Sequence, residues 1–292
     1  MNHHKKIFML LISFALTACG GSGNNSSVSG SNPSVESNSN GSSVVTPTLV
    51  GSPEGLWKGT TNTDRTTLGF VLDTNEYWII YSIAGNSTAL GGVLQGSGVT
   101  DGGTFTSDNG KDINMEGSGA RDISLIANYQ EKSTFNGVLS YPDPLLIPLT
   151  SLSATYDADY EQSPSLADIA GNFAGTAYSS AFIEPSHITI SSTGALTGST
   201  GDLKTTSCIF SGTVTPRFHG NVYDISITFG GGGCVNGTDK LIGVAYFDSA
   251  NSALTIATLN QSRTGAFLYG GTSSTNGGTQ GVGYDLTTAK KI

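Results

Sequence analysis

The chain has 292 residues and a formal net charge of -9, with abundant glycine and few charged side chains. That length fits one large or two ordinary domains, and the acidic balance excludes both the basic footprint of a nucleic-acid binder and electrostatic docking on anionic lipid. No stretch carries Ala, Leu, Glu and Lys at helical spacing, which excludes long helices, whereas frequent Thr, Ser, Tyr and Phe among glycines predict many short strands joined by tight turns.

Lys5 and Lys6 precede an apolar run over residues 7–16, the length of a signal-peptide core and too short to span a bilayer. Leu16-Thr17-Ala18-Cys19 follows directly. This resembles the lipobox of bacterial lipoproteins, and the resemblance implies that residues 1–18 are removed and that Cys19 becomes the acylated first residue. The alternative is an ordinary cleaved secretory signal with an incidental cysteine. Gly20 stands where an inner-membrane retention aspartate would stand. By resemblance to lipoprotein sorting in Gram-negative bacteria, this implies the outer membrane, with the face left open. Loss of Lys5 and Lys6 makes the mature chain more acidic still, which suits solubility.

Residues 20–43 are mostly Gly, Ser and Asn. Such a segment buries too little apolar surface to offset its ordering entropy. A disordered tether over residues 19–52 is therefore expected, with a root-mean-square reach of roughly 30 Å.

Gly55-Leu56-Trp57-Lys58-Gly59-Thr60 is echoed by Gly171-Asn172-Phe173-Ala174-Gly175-Thr176, and strand-like segments follow each. An interval the length of a small domain predicts an internal repeat, with domains over residues 53–157 and 165–286. Between them, Ser165-Leu-Ala-Asp168 has capping-box spacing and predicts one turn of helix. Leu68, Phe70 and Leu72 alternate with smaller residues, as do Ile123, Leu125 and Ala127, and Tyr223, Ile225, Ile227 and Phe229. Residues 76–81 and 241–247 are apolar on both faces, as expected where sheets or domains pack. Turn signals at short intervals favour antiparallel meanders. The fold class expected is all-β: two tandem antiparallel meander barrels of about eight strands each, since closure removes exposed edges. Alternation alone also fits a transmembrane barrel, but a lipid anchor would then be redundant and the chain ends without an aromatic strand.

Gly55-Leu56-Trp57 is similar to the Gly-x-Trp motif of lipocalins and the wider calycins, in which the Trp plugs one barrel end. Gly171-Asn172-Phe173 departs from it by carrying Phe. The resemblance implies barrel-end roles for Trp57 and Phe173, with Arg121 or Arg263 as candidates for the arginine that usually partners the Trp; the plain alternative is that both aromatics fill cores. Two barrels on a lipidated tether also resemble two-barrel surface lipoproteins of Gram-negative bacteria, including transferrin-binding and factor-H-binding types, and no diagnostic residue carries over from either.

With Cys19 acylated, Cys208 and Cys234 remain as a pair, which in an exported protein predicts a disulfide. A hairpin turning near Arg217-Phe-His-Gly220 brings Cys208 near Phe229, and the glycines at 230–233 allow the chain to double back to Cys234. A metal-binding or catalytic pair lacks C-x-x-C spacing and a histidine cluster.

Local signals for chemistry are few. There is no G-x-S-x-G elbow, and the glycine run ends in Cys, so it is no P-loop. His187 and His219 have no ligand-spaced partners, Asp157 and Asp159 lack the rest of a calcium loop, and Asp143 sits between prolines in a rigid turn. No catalytic residue, cofactor site or metal site is assigned, and no enzyme activity is expected. Tyr77, Trp78, Tyr81, Tyr178, Phe182 and Tyr246 would serve a partner if exposed together, or fill the cores. The expected function is a non-enzymatic interaction module for a protein or glycan partner, held at the outer membrane by its lipid. The alternatives are a lipocalin-like carrier of a small apolar ligand and a purely structural envelope component.

Overall fold

The computed structural model describes residues 51–143, 147–201 and 208–274, with the backbone of two further short strands; the expected signal, Cys19 and nearly all of the expected tether lie outside the described residues. Two closed antiparallel barrels stand in tandem, each of eight strands. The first contains β1 (Gly55–Thr61), β2 (Thr66–Val71), β3 (Glu76–Ile83), β4 (Asn86–Ser97), β6 (Thr104–Asn114), β7 (Gly119–Gln130), β8 (Thr134–Ser140) and β9 (Thr150–Asp157). Pairing of β1 with β9 and of β4 with β6 closes the ring, and the short β5 (Val99–Asp101) adds to β6. A 3-10 turn at Ala158–Glu161 leads to α1 (Leu166–Ile169), the expected single helical turn. Ser165 caps it: its Oγ accepts from the Asp168 N–H at 3.3 Å and donates to Asp168 Oδ2 at 2.7 Å.

The second barrel is a simple meander: β10 (Gly171–Tyr178), β11 (Ile183–Ile190), β12 (Ala195–Thr200), β13 (Cys208–Pro216), β14 (Tyr223–Phe229), β15 (Lys240–Asp248), β16 (Ala253–Asn260) and β17 (Ala266–Ser273), closed by β10 on β17. Two-residue strands β18 (Tyr284–Asp285) and β19 (Lys290–Lys291) pair with each other. The two echoed hexapeptides occupy the same place, opening β1 and β10. Their second glycines share a physical cause. Gly59 and Gly175 pair with Ala154 and Gly271 on the closing strands, and a Cβ at either would come within 2.2 Å of a backbone carbonyl oxygen.

Three apolar cores result. Inside the first barrel lie Trp57, Tyr77, Ile79, Phe105, Leu125 and Phe135, among others. The second barrel is filled by Phe173, Ile188, Phe210, Tyr223, Phe229, Ile256, Phe267 and Tyr269. Phe210, Phe229 and Phe267 meet with ring centroids 5.2–5.6 Å apart. Apolar interiors behind largely polar outer faces reverse the pattern of a membrane-spanning barrel.

The third core lies between the barrels, within one compact unit. The outer faces of β2, β3 and β4 present Leu68, Phe70, Trp78, Ile80 and Val93 to Val244, Tyr246, Ala257, Leu259 and Leu268 of β15, β16 and β17. This is why residues 76–81 and 244–247 are apolar on both sides, whereas Ile242, earlier in the second run, is 60% exposed. Two arginines fasten its edges. Arg217 of the β13–β14 turn reaches Asp73 of the β2–β3 turn at 2.7 Å. Arg263 of the β16–β17 turn donates to the carbonyls of Asn109, at 2.9 Å, and Gln95.

Cys208 and Cys234 form the expected disulfide. Phe210 pairs with Phe229, so the hairpin delivers Cys208 to that end of the barrel. Gly231 and Gly232, at φ 77° and 62°, fold the β14–β15 loop back over it.

Candidate functional site

The first barrel is packed at one end and open at the other. Trp57 is buried near the end where β1 begins, with its indole N–H donating to the Pro53 carbonyl at 2.9 Å. Its ring packs on Phe135 and Tyr156 at centroid distances of 5.6 and 5.4 Å. Farther along β1, beyond Ile79 and Leu94, the interior opens into a cavity of about 230 Å³.

The floor of this cavity is polar. Asp112 of β6 is 5% exposed, and its two carboxylate oxygens accept from the phenols of Tyr81 at 2.6 Å and Tyr141 at 2.8 Å. Asn114 donates its amide to the Tyr81 oxygen at 3.2 Å. Burial holds the Asp112 carboxyl above the usual carboxylate range, although both phenols and the charges of Arg121 and Arg65 pull the other way. Burial, reinforced by Asp112, pushes both phenols up, so they remain protonated donors. Thr67 of β2 lines the same cavity and is 3% exposed; its hydroxyl is closed to solvent and has no hydrogen-bond partner among the described residues.

Two arginines border the cavity and differ in their commitments. Arg65 donates to the Ser82 carbonyl at 2.7 Å, pairs with Glu116 at 2.6 Å and lies 5.2 Å from the centre of the Tyr81 ring. Arg121 sits directly across from Asp112 in the β6–β7 register, so both side chains point into the barrel. It is exposed at the rim and has no hydrogen bond or ion pair among the described residues.

Among the described residues, no arginine takes the partner role of the calycin pattern. Arg121 lines the open cavity, of which Trp57 is not part, and Arg263 ties the two barrels together. Phe173 is buried in the second barrel against Phe247 at 5.8 Å. Tyr77, Trp78, Tyr81, Tyr178 and Tyr246 are all buried, and only Phe182 of the six aromatics singled out from sequence is exposed. They fill cores and make no exposed cluster. His187 is half-buried on β11, and His219 meets the exposed Phe218 edge to face with centroids 5.1 Å apart. Asp157 pairs with Lys58 at 2.7 Å and accepts from the Asp159 N–H, while Asp159 accepts from Tyr246; both acids hold the link between the barrels.

A second surface feature lies on the outside of the first barrel. Val99, Ile126 and Val138 are exposed on β5, β7 and β8. Thr106 of β6 joins the first two, and Val138 pairs directly with Ile126, giving a continuous row across four strands.

No family model and no curated protein matches this chain. Among solved structures, the chain is similar to the isotype 1 transferrin binding protein B from serogroup B Neisseria meningitidis, at 9% identity and a TM-score of 0.30, over 72% of this chain and 63% of that one. The chain thus spans less than two thirds of that protein, and at this TM-score the likeness transfers neither structural detail nor function.

Proposed function

We propose that this chain is a non-enzymatic, lipid-anchored binding module of the outer membrane that holds a glycan partner in the mouth of its first barrel. One observation carries the reading. One barrel is solid, whereas the other opens into a small cavity with buried, fixed polar groups and apolar walls. Concave sites that combine apolar surface with a few convergent polar groups are where proteins bind small ligands. A ring with an apolar face and a hydroxylated edge matches such a lining. An apolar ligand does not, because it would strip water from Asp112, Tyr141 and two arginines without replacing it. Both Asp112 oxygens are tied to phenols, an arrangement that holds a shape rather than one that moves a proton. A protein partner is the second reading, favoured by the exposed row of Val99, Ile126 and Val138, since exposed apolar patches mark interaction sites.

The anchor at Cys19 rests on the lipobox and gives the module its address. Cells displaying the chain are expected to retain fluorescent glycan probes, and the Cys19→Ser variant is expected to leave the membrane fraction while the released chain still binds them. A variant that stays with the membrane rejects the anchor, and probes that bind neither form reject the glycan partner.

A further inference from the structure

The cavity's polar groups are not evenly placed, and their arrangement specifies more than a sugar. The floor is rich in acceptors. Asp112 has taken one hydrogen bond on each oxygen and has lone pairs left, and Tyr141 has given its only proton to that carboxylate, which leaves its oxygen as an acceptor. Thr67 also lines this space, but its hydroxyl is closed to solvent, so the ligand-facing acceptors are those of Asp112 and Tyr141. Such a floor calls for hydroxyl donors. The rim is the reverse. Arg121 brings donors in a planar fork, which matches a carboxylate in two-pronged fashion; Asp112, across the strand pair, acts on its charge only through space, and no hydrogen bond or ion pair occupies the fork among the described residues. Between floor and rim the walls are Ile79, Leu94, Leu139 and Leu152, suited to the C–H face of a ring. At about 230 Å³ the space lies below that of drug-sized pockets, roughly 300–1,000 Å³, and admits one small ring.

Resting on the reading of this mouth as a glycan site, we propose that it selects a hydroxylated carboxylate, a sugar acid of the uronate type, with its hydroxyls on Asp112 and Tyr141 and its carboxylate on Arg121. The same chemistry is offered by a free uronate and by a uronate at the end of a glycan. A zwitterionic amino acid fits less well: it has an ammonium where the floor wants several dispersed hydroxyls, and burying that charge is expensive.

Ligand-observed NMR titration of the full chain in detergent with glucuronate, glucose, alanine and a uronate-terminated disaccharide tests this. Glucuronate is expected to bind roughly tenfold or more tightly than glucose, the worth of a charge-assisted contact. Arg121→Ala, a change at an exposed side chain, is expected to bring the affinity for glucuronate down to that for glucose. Tyr141→Phe is expected to weaken both sugars. The disaccharide binding as tightly as free glucuronate identifies a glycan terminus as the source, and its exclusion identifies the free acid. Equal affinity for glucose and glucuronate overturns the selection for a carboxylate but leaves the glycan reading standing. Tighter binding of alanine than of glucuronate, or an undiminished glucuronate preference in Arg121→Ala, also overturns it. No sugar binding at all overturns both.

Discussion

Phe70→Ala is expected to destabilise the protein by about 3–5 kcal/mol, the usual cost of emptying a buried Phe site, and to do so for both barrels at once. Phe70 is 1% exposed and lies on the outer face of β2, where its ring meets Tyr246 of the second barrel at a centroid distance of 5.7 Å. An ordinary β-barrel strand has a dry face and a wet face. Here β2, β3, β16 and the part of β15 from Val244 onward are dry on both, because the barrels share a core of their own. Hydrophobic burial of this kind makes two folding units into one cooperative unit. Scanning calorimetry is therefore expected to show a single transition for the natural chain and a lowered or split transition for Phe70→Ala. Ile126→Ala, at an exposed site on the first barrel, is expected to move stability by no more than about 0.5 kcal/mol. Two transitions in the natural chain, or a Phe70→Ala effect confined to the first barrel, would show that the interface is mere contact.

Replacing both Cys208 and Cys234 by Ser is expected to cost about 3.5 kcal/mol, from the chain entropy of closing a loop with a sequence separation of 26 residues. The bond joins the start of β13 to the glycine-rich loop after β14 and holds that loop over the end of the second barrel. Chemical denaturation of the double variant beside the oxidised natural chain measures the difference. A loss below about 1 kcal/mol would mean that the loop keeps its place by backbone hydrogen bonds alone, such as that from the Gly230 N–H to the Ile209 carbonyl at 2.9 Å.

The second barrel was the more legible half of the fold, and the reason is local. Tyr223, Ile225, Ile227 and Phe229 all face its core, the hairpin turns where the sequence places it, and the two cysteines close as spacing and exported context predict. In the first barrel alternation reveals the period but not the face. Leu68, Phe70 and Leu72 point away from the barrel interior and Thr67, Gly69 and Val71 point inward, because the outer face is the drier one. The cavity was legible at a single residue. A bulge between Ser107 and Gly110 switches the face that β6 presents. Phe105 and Ser107 face inward before it and Asp112 and Asn114 after it, so simple alternation would send Asp112 to solvent and Ile113 to the core. Ile113 does reach a core, but the one between the barrels. Thr67, Tyr81, Asp112, Arg121 and Tyr141 come from five separate segments and share no local spacing. A signal was present in β7: Arg121 falls on the same alternating face as Ile123, Leu125 and Ala127, an inward arginine at a strand end.

Amide-resolved NMR mapping of the isotope-labelled chain during titration with a uronate-terminated glycan bears most directly on the claim that the mouth of the first barrel is the binding site. The expected result is a connected set of shifts at Thr67, Tyr81, Asp112, Asn114 and Arg121, with the filled second barrel silent. Shifts that instead trace Val99, Ile126 and Val138 on the outer wall, with the cavity unmoved, would contradict it.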